Sequence, residues 1–221
     1  MFSVSKSIQN AGRALLHAFY DIKITGQLPN SKTPLVLIGN HSWLIDGPLL
    51  FCATHRTMAV LTKTEVFNQF TRPILNAGLA IETDWKDADR SAVVNAQRFL
   101  AEGYDVGLFP EGTRCRGNFA WLKDGVVLIN AKERSDFIPV FIFGSRLTGK
   151  SKNWIPPFKS LIEIVIGNPI QASDVYSNDF DVLNRKHIAI AGERLRQSLQ
   201  LQMQAAQATV SNELPEDDVS E

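Results

Sequence analysis

Short apolar runs alternate with longer amphipathic stretches along most of the chain. The apolar runs predict β-strands at 35–39, 57–62, 79–83, 105–109, 137–143 and 162–167. The stretches between and after them predict α-helices at 45–54, 64–77, 86–103, 121–134 and 183–207. Alternating strands and helices are typical of an α/β fold, so we expect a largely parallel or mixed central sheet flanked by helices.

The N-terminal segment, residues 2–22, carries an apolar stripe with helical spacing. The stripe is formed by Ile8, Ala11, Leu15, Phe19 and Ile22. The bases of this segment fall on another face, so the pattern predicts an amphipathic helix. Two interpretations stay open: a helix packed on the core of the domain, or a helix lying in a membrane interface with its bases towards the headgroups.

Length and composition indicate one globular domain with additional terminal segments. The chain has 221 residues, of which 44% are hydrophobic and 21% charged. We expect an N-terminal helix and linker at 1–28, the main domain at 29–207 and a disordered acidic tail at 208–221. No apolar run reaches the ~20 residues that span a bilayer, and we expect no signal peptide.

The net charge of zero is unevenly distributed. Residues 211–221 contain five acids and no base, so the rest of the chain has 23 bases and 18 acids, a difference of +5. The net positive charge of that part mildly favours anionic partners such as phosphates or lipid headgroups. The same part has no basic block of the kind that nucleic-acid binding needs, so we expect no nucleic-acid partner. The two cysteines, Cys52 and Cys115, form neither a disulfide framework nor a zinc-binding pattern.

The first motif, GNHSWLID at residues 39–46, follows the first predicted strand. His41 is suited to act as a general base, because the reference pKa of histidine is about 6.5. Asp46 can accept the other ring N–H and fix the tautomer. The alternatives are that His41 is an ordinary loop histidine and that Asp46 caps a helix. A metal site with His55 is disfavoured, because the sequence lacks a ligand pair such as H-E-x-x-H.

The second motif, FPEGTRCRG at residues 109–117, follows the fourth predicted strand. Pro110 and Gly112 predict a tight turn, and the two arginines provide forked donors suited to phosphate. Glu111 could orient the turn or an arginine, or contact substrate, and a plain surface turn is the alternative to a site. Parallel strands carry their functional loops at their carboxyl ends, so we expect both motifs at one edge of the sheet.

Together the two motifs resemble those of the lysophosphatidate acyltransferase family, glycerolipid acyltransferases with NHx4D and FPEGTR motifs. The first motif supplies Asn40, His41 and Asp46, and residues 109–114 match FPEGTR in full. A Lys-x-Glu segment at 63–65 and an apolar segment around Pro139 also agree. The resemblance covers about residues 30 to 170.

The resemblance implies that 29–207 is an acyltransferase domain. It would move a fatty acyl group from acyl-CoA or acyl carrier protein to the free hydroxyl of a lysophospholipid, with lysophosphatidate as the expected acceptor and another lysolipid as the alternative. The implied catalytic residues are His41 as base and Asp46 as its orienting partner. The implied acceptor-binding residues are Glu111, Gly112, Thr113 and Arg114. No metal, cofactor or covalent acyl-enzyme is expected.

A lysolipid acceptor implies a membrane surface as partner, and we expect a peripheral or monotopic membrane protein that faces the cytoplasm. Aromatic residues are candidates for this contact because tryptophan suits the interface. The candidates are Trp43, Phe119, Trp121, Trp154 and Phe158.

The chain departs from the family pattern at one place. The family usually has an arginine shortly after the third strand that is associated with glycerol phosphate, and here Thr83 and Asp84 occupy that place. Lys86 and Arg90 lie nearby but out of register. The identity of the acceptor therefore stays open.

A competing motif, GSRLTGKS at 144–151, fits the phosphate-loop pattern of nucleotide-binding proteins. In that interpretation Lys150 would bind phosphates and Ser151 magnesium. Such a loop must open into a helix, whereas Pro156 and Pro157 follow shortly. We therefore keep nucleotide binding only as an alternative. A thiol-nucleophile role for Cys115 is disfavoured, since direct transfer needs no thiol.

Overall fold

The computed structural model describes residues 2–84, 90–147, 149 and 155–216. Within this part, the strands are β1 Asp21–Thr25, β2 Val36–Gly39, β3 Met58–Lys63, β4 Ala80–Thr83, β5 Asp105–Leu108, β6 Phe137–Phe143 and β7 Leu161–Ile166. The helices are α1 Phe2–Phe19, α2 Asp46–Ala53, α3 Arg72–Ala77, α4 Arg90–Ala101, α5 Gly125–Asn130, α6 Ala172–Val175 and α7 Arg185–Gln207, with a 3-10 turn at Thr64–Val66.

The strands form one mixed sheet in the order β1-β7-β6-β2-β5-β3-β4. The pairs β6–β2, β2–β5, β5–β3 and β3–β4 are parallel, as is β1–β7. The pair β6–β7 is antiparallel, so β1 and β7 run against the other strands. This arrangement confirms the predicted α/β class with a central sheet flanked by helices.

Alternating strand residues supply two apolar cores, one on each face of the sheet. Val36 and Ile38 of β2 face the core covered by α4, α5 and α7, whereas Leu35 and Leu37 face the core covered by α2. This period of two is the expected consequence of strand geometry. A sheet covered on both faces explains why the strands are continuous apolar runs.

Helix α1 packs on the domain through a mostly polar face. Gln9 is buried, and its amide donates to the carbonyl oxygens of Phe51 and Arg56. Arg13 donates to the carbonyl oxygen of Cys52 at 2.9 Å and to that of Thr54. The apolar stripe of the helix therefore points largely away from the core, although the helix itself is docked on the domain.

The N-terminal helix ends earlier than its pattern predicted. Residues 21 and 22 are not helical, because Asp21 begins β1, which pairs with β7 at the edge of the sheet. The sequence did not predict this strand, whose residues are half-buried or exposed and lack a continuous apolar run.

Two other predicted helices are shorter in the structure. In 64–77, a turn interrupts the helix because the side chain of Asn68 accepts the N–H groups of Phe70 and Thr71. In 121–134, only Gly125–Asn130 is helical, because the backbone of Lys123 is bonded to the second motif. For 86–103 the described part begins at residue 90, and residues 86–89 lie outside it.

The predicted divisions at residues 28 and 208 stay predictions. In the described part of the C-terminal segment, 208–216, the N–H groups of Ser211 and Asn212 both donate to the carboxylate of Glu163 on β7. Residues 217–221 lie outside the described part. Within the described residues, none of the helices combines the length and apolar character needed to cross a bilayer.

Candidate active site

The two motifs lie side by side at the carboxyl end of the sheet, as predicted. Strands β2 and β5, which lead into them, are parallel neighbours. The backbone N–H of Cys115 donates to the carbonyl oxygen of His41 at 2.8 Å. A Cβ atom on Gly117 would lie 2.9 Å from the Asn40 amide nitrogen, so only glycine allows this approach.

The side chains of His41 and Asp46 form a hydrogen-bonded pair. The Nδ1 atom of His41 lies 3.1 Å from Oδ2 of Asp46. The aspartate is fully buried, and the imidazole is 18% exposed. A neutral imidazole that donates its Nδ1 proton to a carboxylate keeps its lone pair on Nε2, which is the form that a general base requires.

The same oxygen of Asp46 also holds the backbone of the first motif. Oδ2 accepts the N–H of Ser42 at 2.8 Å and that of Trp43 at 2.6 Å. Oδ1 is buried without a hydrogen-bond partner in the described part of the chain. Asp46 thus fixes both the histidine ring and the turn from which it projects.

Phe109, the first residue of the second motif, packs against the catalytic candidate. Its ring stacks on the imidazole of His41 with 4.4 Å between centroids and 27° between planes. Gly39 makes room for this ring, since a Cβ at residue 39 would lie 2.7 Å from Cε1 of Phe109. Phe109 belongs to the second motif, but the motif alone predicts no role for its side chain.

The side chain of Glu111 is fully buried between the two motifs. Its carboxylate accepts the N–H of His41 at 3.1 Å and that of Phe119 at 2.9 Å, and the thiol of Cys115 also donates to it. Burial raises the pKa of Glu111 to about 7, against the effect of these hydrogen bonds, and the nearby charge of Asp46 raises it further.

A cleft of about 450 Å³ opens beside the second motif. Its walls come from the carboxyl ends of β3 and β4, the 3-10 turn and the segment after the second motif. The lining residues are Lys63, Thr64, Glu65, Thr83, Asp84, Glu111, Gly112, Thr113, Trp121 and Lys123. His41 and Arg114 are not among these lining residues. The predicted site residues therefore lie partly in the wall of the cleft and partly at its margin.

Three predicted acceptor-binding residues contribute to the turn at the edge of the cleft. Gly112 has a φ of +71°, a left-handed conformation that favours glycine. Thr113 is exposed at the lining, while Arg114 is half-buried beside it. Lys123 also lines the cleft and was not predicted as a site residue, because it follows the second motif without a recognisable pattern.

The alternatives weighed from the sequence find little support in the site. His55 contacts Arg13 of α1, with 2.9 Å between Nε2 and the guanidinium, so it does not join His41 and Asp46. Cys115 is buried, and its thiol is hydrogen-bonded to Glu111. Lys150 and Ser151 of the phosphate-loop pattern lie outside the described residues, while residues 155–160 form no helix.

The aromatic candidates for membrane contact separate into two groups. Trp43 is 1% exposed and Phe119 is fully buried in the core, so their prediction as lipid-facing residues was wrong. Trp121 is 42% exposed, and its indole N–H donates to the carbonyl oxygen of Glu111. Phe158 is 67% exposed, and Trp154 lies outside the described residues.

Comparison with known proteins identifies relatives over the same region. A chloroplastic 1-acyl-sn-glycerol-3-phosphate acyltransferase, LPAT1 from Arabidopsis thaliana, is 29% identical over 182 residues, covering 74% of this chain and 48% of that protein. A second chloroplastic 1-acyl-sn-glycerol-3-phosphate acyltransferase, BAT2 from Brassica napus, is 28% identical over 144 residues, covering 61% and 40%. The chain thus spans less than half the length of these relatives.

The fold also resembles a solved structure. The 1-acyl-sn-glycerophosphate acyltransferase PlsC from Thermotoga maritima superposes with a TM-score of 0.64 at 23% identity, over 89% of this chain and 79% of that one. At this identity the likeness concerns the fold. The family model described as Acyltransferase matches residues 21–163, more than half of the chain and the region that contains both motifs. The chain therefore belongs to the Acyltransferase family.

Proposed function

We propose that the protein transfers a fatty acyl group from acyl-CoA or acyl carrier protein to the free hydroxyl of a lysophospholipid. The observation that carries this proposal is the His41–Asp46 hydrogen bond of 3.1 Å, at the sheet edge where the second motif also lies. The names of the relatives support lysophosphatidate as the acceptor and phosphatidate as the product.

In the proposed reaction, His41 is the general base. Its Nε2 atom takes the proton of the acceptor hydroxyl as the hydroxyl oxygen attacks the thioester carbonyl. The carbon–sulfur bond then breaks, and the thiolate receives the proton from the imidazolium. Asp46 stabilises that imidazolium and keeps the ring in the productive tautomer. The acyl group passes directly to the acceptor, so the scheme requires neither a cofactor nor a covalent intermediate.

The cleft is the proposed binding site for the acceptor headgroup. Lys63 and Lys123 line it, and neither ammonium group forms a hydrogen bond or ion pair with the described part of the chain. We assign them, together with Arg114 at the margin, to the anionic phosphate. They would provide the positive charge that an arginine in the place of Thr83 provides in the family pattern.

A second class of acceptor is favoured by the acidic residues of the same cleft. Glu65 and Asp84 line it together with the two lysines, and the buried Glu111 adds a third carboxyl group to the lining. Carboxylates repel a phosphate monoester but attract an ammonium group. A zwitterionic headgroup such as phosphoethanolamine is therefore the alternative to the bare phosphate of lysophosphatidate.

We further propose that the protein acts at a membrane surface, as a peripheral or monotopic protein facing the cytoplasm. The outward face of α1 supports this proposal, with Leu15 59% and Phe19 50% exposed. Phe158 extends this face, since its ring meets that of Phe19 edge-on at 6.1 Å, and Ile155, three positions earlier in the chain, is 66% exposed. Contiguous exposed apolar surface of this kind is typical of lipid contact.

A headgroup panel tests the function and separates the two acceptors. The purified protein would receive lysophosphatidate, lysophosphatidylglycerol or lysophosphatidylethanolamine with one acyl chain in common, and either acyl donor, with products identified by mass spectrometry. We expect a diacyl product from lysophosphatidate. Preference for the ethanolamine lipid would establish the alternative, and no diacyl product from any lysolipid would contradict the proposed function.

Variants of the cleft test the headgroup site. Lys63→Met and Lys123→Met should each raise the acceptor KM, because each removes a cation without filling the cleft. Lys132→Met is the matched control, since Lys132 is exposed outside the cleft. Equal KM values for all three variants would exclude the cleft lysines from headgroup binding.

A further inference from the structure

We infer that Glu111 is a positioning residue for His41, and that its carboxylate does not bind the acceptor. The inference rests on the proposed function in one respect, because it takes His41 as the base. It assigns to the glutamate of the second motif a role different from the substrate contact that the sequence analysis predicted.

The carboxylate of Glu111 is occupied by the protein itself. Its side chain is fully buried, one oxygen accepts the N–H of His41 and the other that of Phe119. The thiol of Cys115 donates to the same group. Glu111 belongs to the cleft wall without solvent-exposed surface of its own, and its backbone carbonyl oxygen accepts the indole N–H of Trp121.

The hydrogen bonds of Glu111 complete a continuous support for the first motif. Three successive N–H groups, those of His41, Ser42 and Trp43, all donate to carboxylates: the first to Glu111 and the next two to Asp46. The carbonyl oxygen of His41 is held as well, by the N–H of Cys115. The peptide groups on both sides of the His41 Cα atom are thus fixed by the second motif, which sets the direction of the ring.

A buried carboxylate such as that of Glu111 is energetically unfavourable unless it orders a neighbouring part of the chain. Burial raises the pKa of Glu111 to about 7, which means that the ionised form is poorly solvated despite its hydrogen bonds. A leucine or methionine would fill the same space without this cost. What the carboxylate adds is the placement of a neighbouring segment, and catalysis by a general base depends steeply on such placement.

The substitution Glu111→Gln separates positioning from binding. The amide offers one acceptor oxygen, and its NH2 group faces the second N–H, so either His41 or Phe119 loses its anchor. Misplacement of the base should lower kcat by about 10- to 100-fold while the acceptor KM stays at the wild-type value. An acceptor-binding glutamate would give the opposite pattern, a raised KM.

Glu163→Gln is the matched control for loss of a buried carboxylate. Glu163 is 7% exposed and also accepts two backbone N–H groups, those of Ser211 and Asn212, but outside the site. Both variants should lose stability, and only Glu111→Gln should lose kcat. Equal kcat for Glu111→Gln and Glu163→Gln, or a change confined to the acceptor KM, would overturn the inference.

A measurement on the wild-type protein covers the case in which Glu111→Gln does not fold. In a pH titration followed by 1H–15N NMR, the amide protons of His41 and Phe119 should shift together with one apparent pKa near 7, the value to which burial raises Glu111. Amide protons that do not titrate together would refute the shared anchor. This readout needs no turnover, so failure of the inference can be told apart from failure of the proposed function. The latter would appear as a wild-type protein that transfers no acyl group.

Discussion

The Oδ2 atom of Asp46 lies 3.1 Å from Nδ1 of His41 and also accepts the N–H groups of Ser42 and Trp43. The five-position spacing in the first motif follows from this geometry. The chain turns at 43–45 and starts α2 at Asp46, whose side chain then points back to the residues that precede the turn. One carboxylate oxygen therefore orders both the His41 ring, the proposed base, and its loop.

Asp46→Asn should abolish most of the activity while preserving the shape of the side chain. The asparagine amide either turns its NH2 group towards the ring and backbone N–H donors or accepts fewer hydrogen bonds from them. In both cases the tautomer and orientation of His41 are no longer fixed. We expect kcat to fall on the order of 10²–10⁴-fold. Combining Asp46→Asn with His41→Ala should add little to His41→Ala alone, because the two residues act as a unit. Multiplicative effects of the two substitutions would argue for independent roles.

Gly39→Ala should disturb the site through Phe109, whose ring stacks on that of His41. The new methyl group would lie 2.7 Å from Cε1 of Phe109 and displace the ring that stacks on His41. We expect a loss of about 1–3 kcal/mol in the free energy of unfolding from overpacking, together with a lower kcat. Gly125→Ala is the control, because its Cβ would meet nothing within 4 Å. Equal stability and kcat in the two variants would exclude this role of Phe109.

Most of the fold could be predicted from the chain because its parallel strands are buried on both faces. The run at 137–143 is apolar throughout and forms β6 with the predicted bounds. β1 could not be found in this way, because as an edge strand it leaves most of its residues exposed. Its place depends on pairing with β7, a contact across 140 residues that no local pattern reveals.

The site was predictable to the extent that its residues belong to local motifs. His41, Asp46 and the turn at 112 come together because β2 and β5 are neighbours, which parallel-sheet geometry implies. The burial of Glu111 was not predictable, since a glutamate in a turn is usually exposed. Its partner N–H groups are separated from it by 70 residues in one case and eight in the other.

The orientation of α1 also depends on tertiary contacts. Its apolar stripe favours burial, yet Gln9 and Arg13 find buried carbonyl acceptors around α2 and turn Leu15 and Phe19 outwards. Hydrogen bonds to otherwise unpaired buried carbonyl groups can outweigh the burial of a few apolar side chains. The apolar stripe of α1 is therefore exposed and available to contact an apolar surface outside the protein.

Replacing Leu15 and Phe19 with serine should weaken binding to phospholipid vesicles without unfolding the protein. Burial of two such side chains in lipid contributes about 1.5–3 kcal/mol each, so the apparent affinity should fall on the order of 10²-fold or more. Leu201→Ser is the control, because Leu201 is 70% exposed on α7. Vesicle flotation that is equal for all proteins would exclude α1 as the membrane-binding surface.

The stability of the protein should depend on pH through Glu111. Its pKa is raised from 4.5 to about 7 by burial, so between these values the folded state retains a proton that the unfolded chain has lost. The free energy of unfolding therefore falls as pH rises from 4.5 to 7, by about 3 kcal/mol in total from this group. Denaturant unfolding of the wild type and Glu111→Gln across this range measures the difference, and parallel curves would contradict the assignment.

The most direct test of the account is the turnover of a folded His41→Ala protein. Its fold should be retained, because the backbone anchors of residue 41 come from Glu111 and Cys115 and do not involve the ring. We expect acyl transfer to lysophosphatidate to fall on the order of 10²–10⁴-fold, mainly in kcat, while the lysolipid still binds. Turnover close to the wild-type rate by a folded His41→Ala protein would show that the base lies elsewhere.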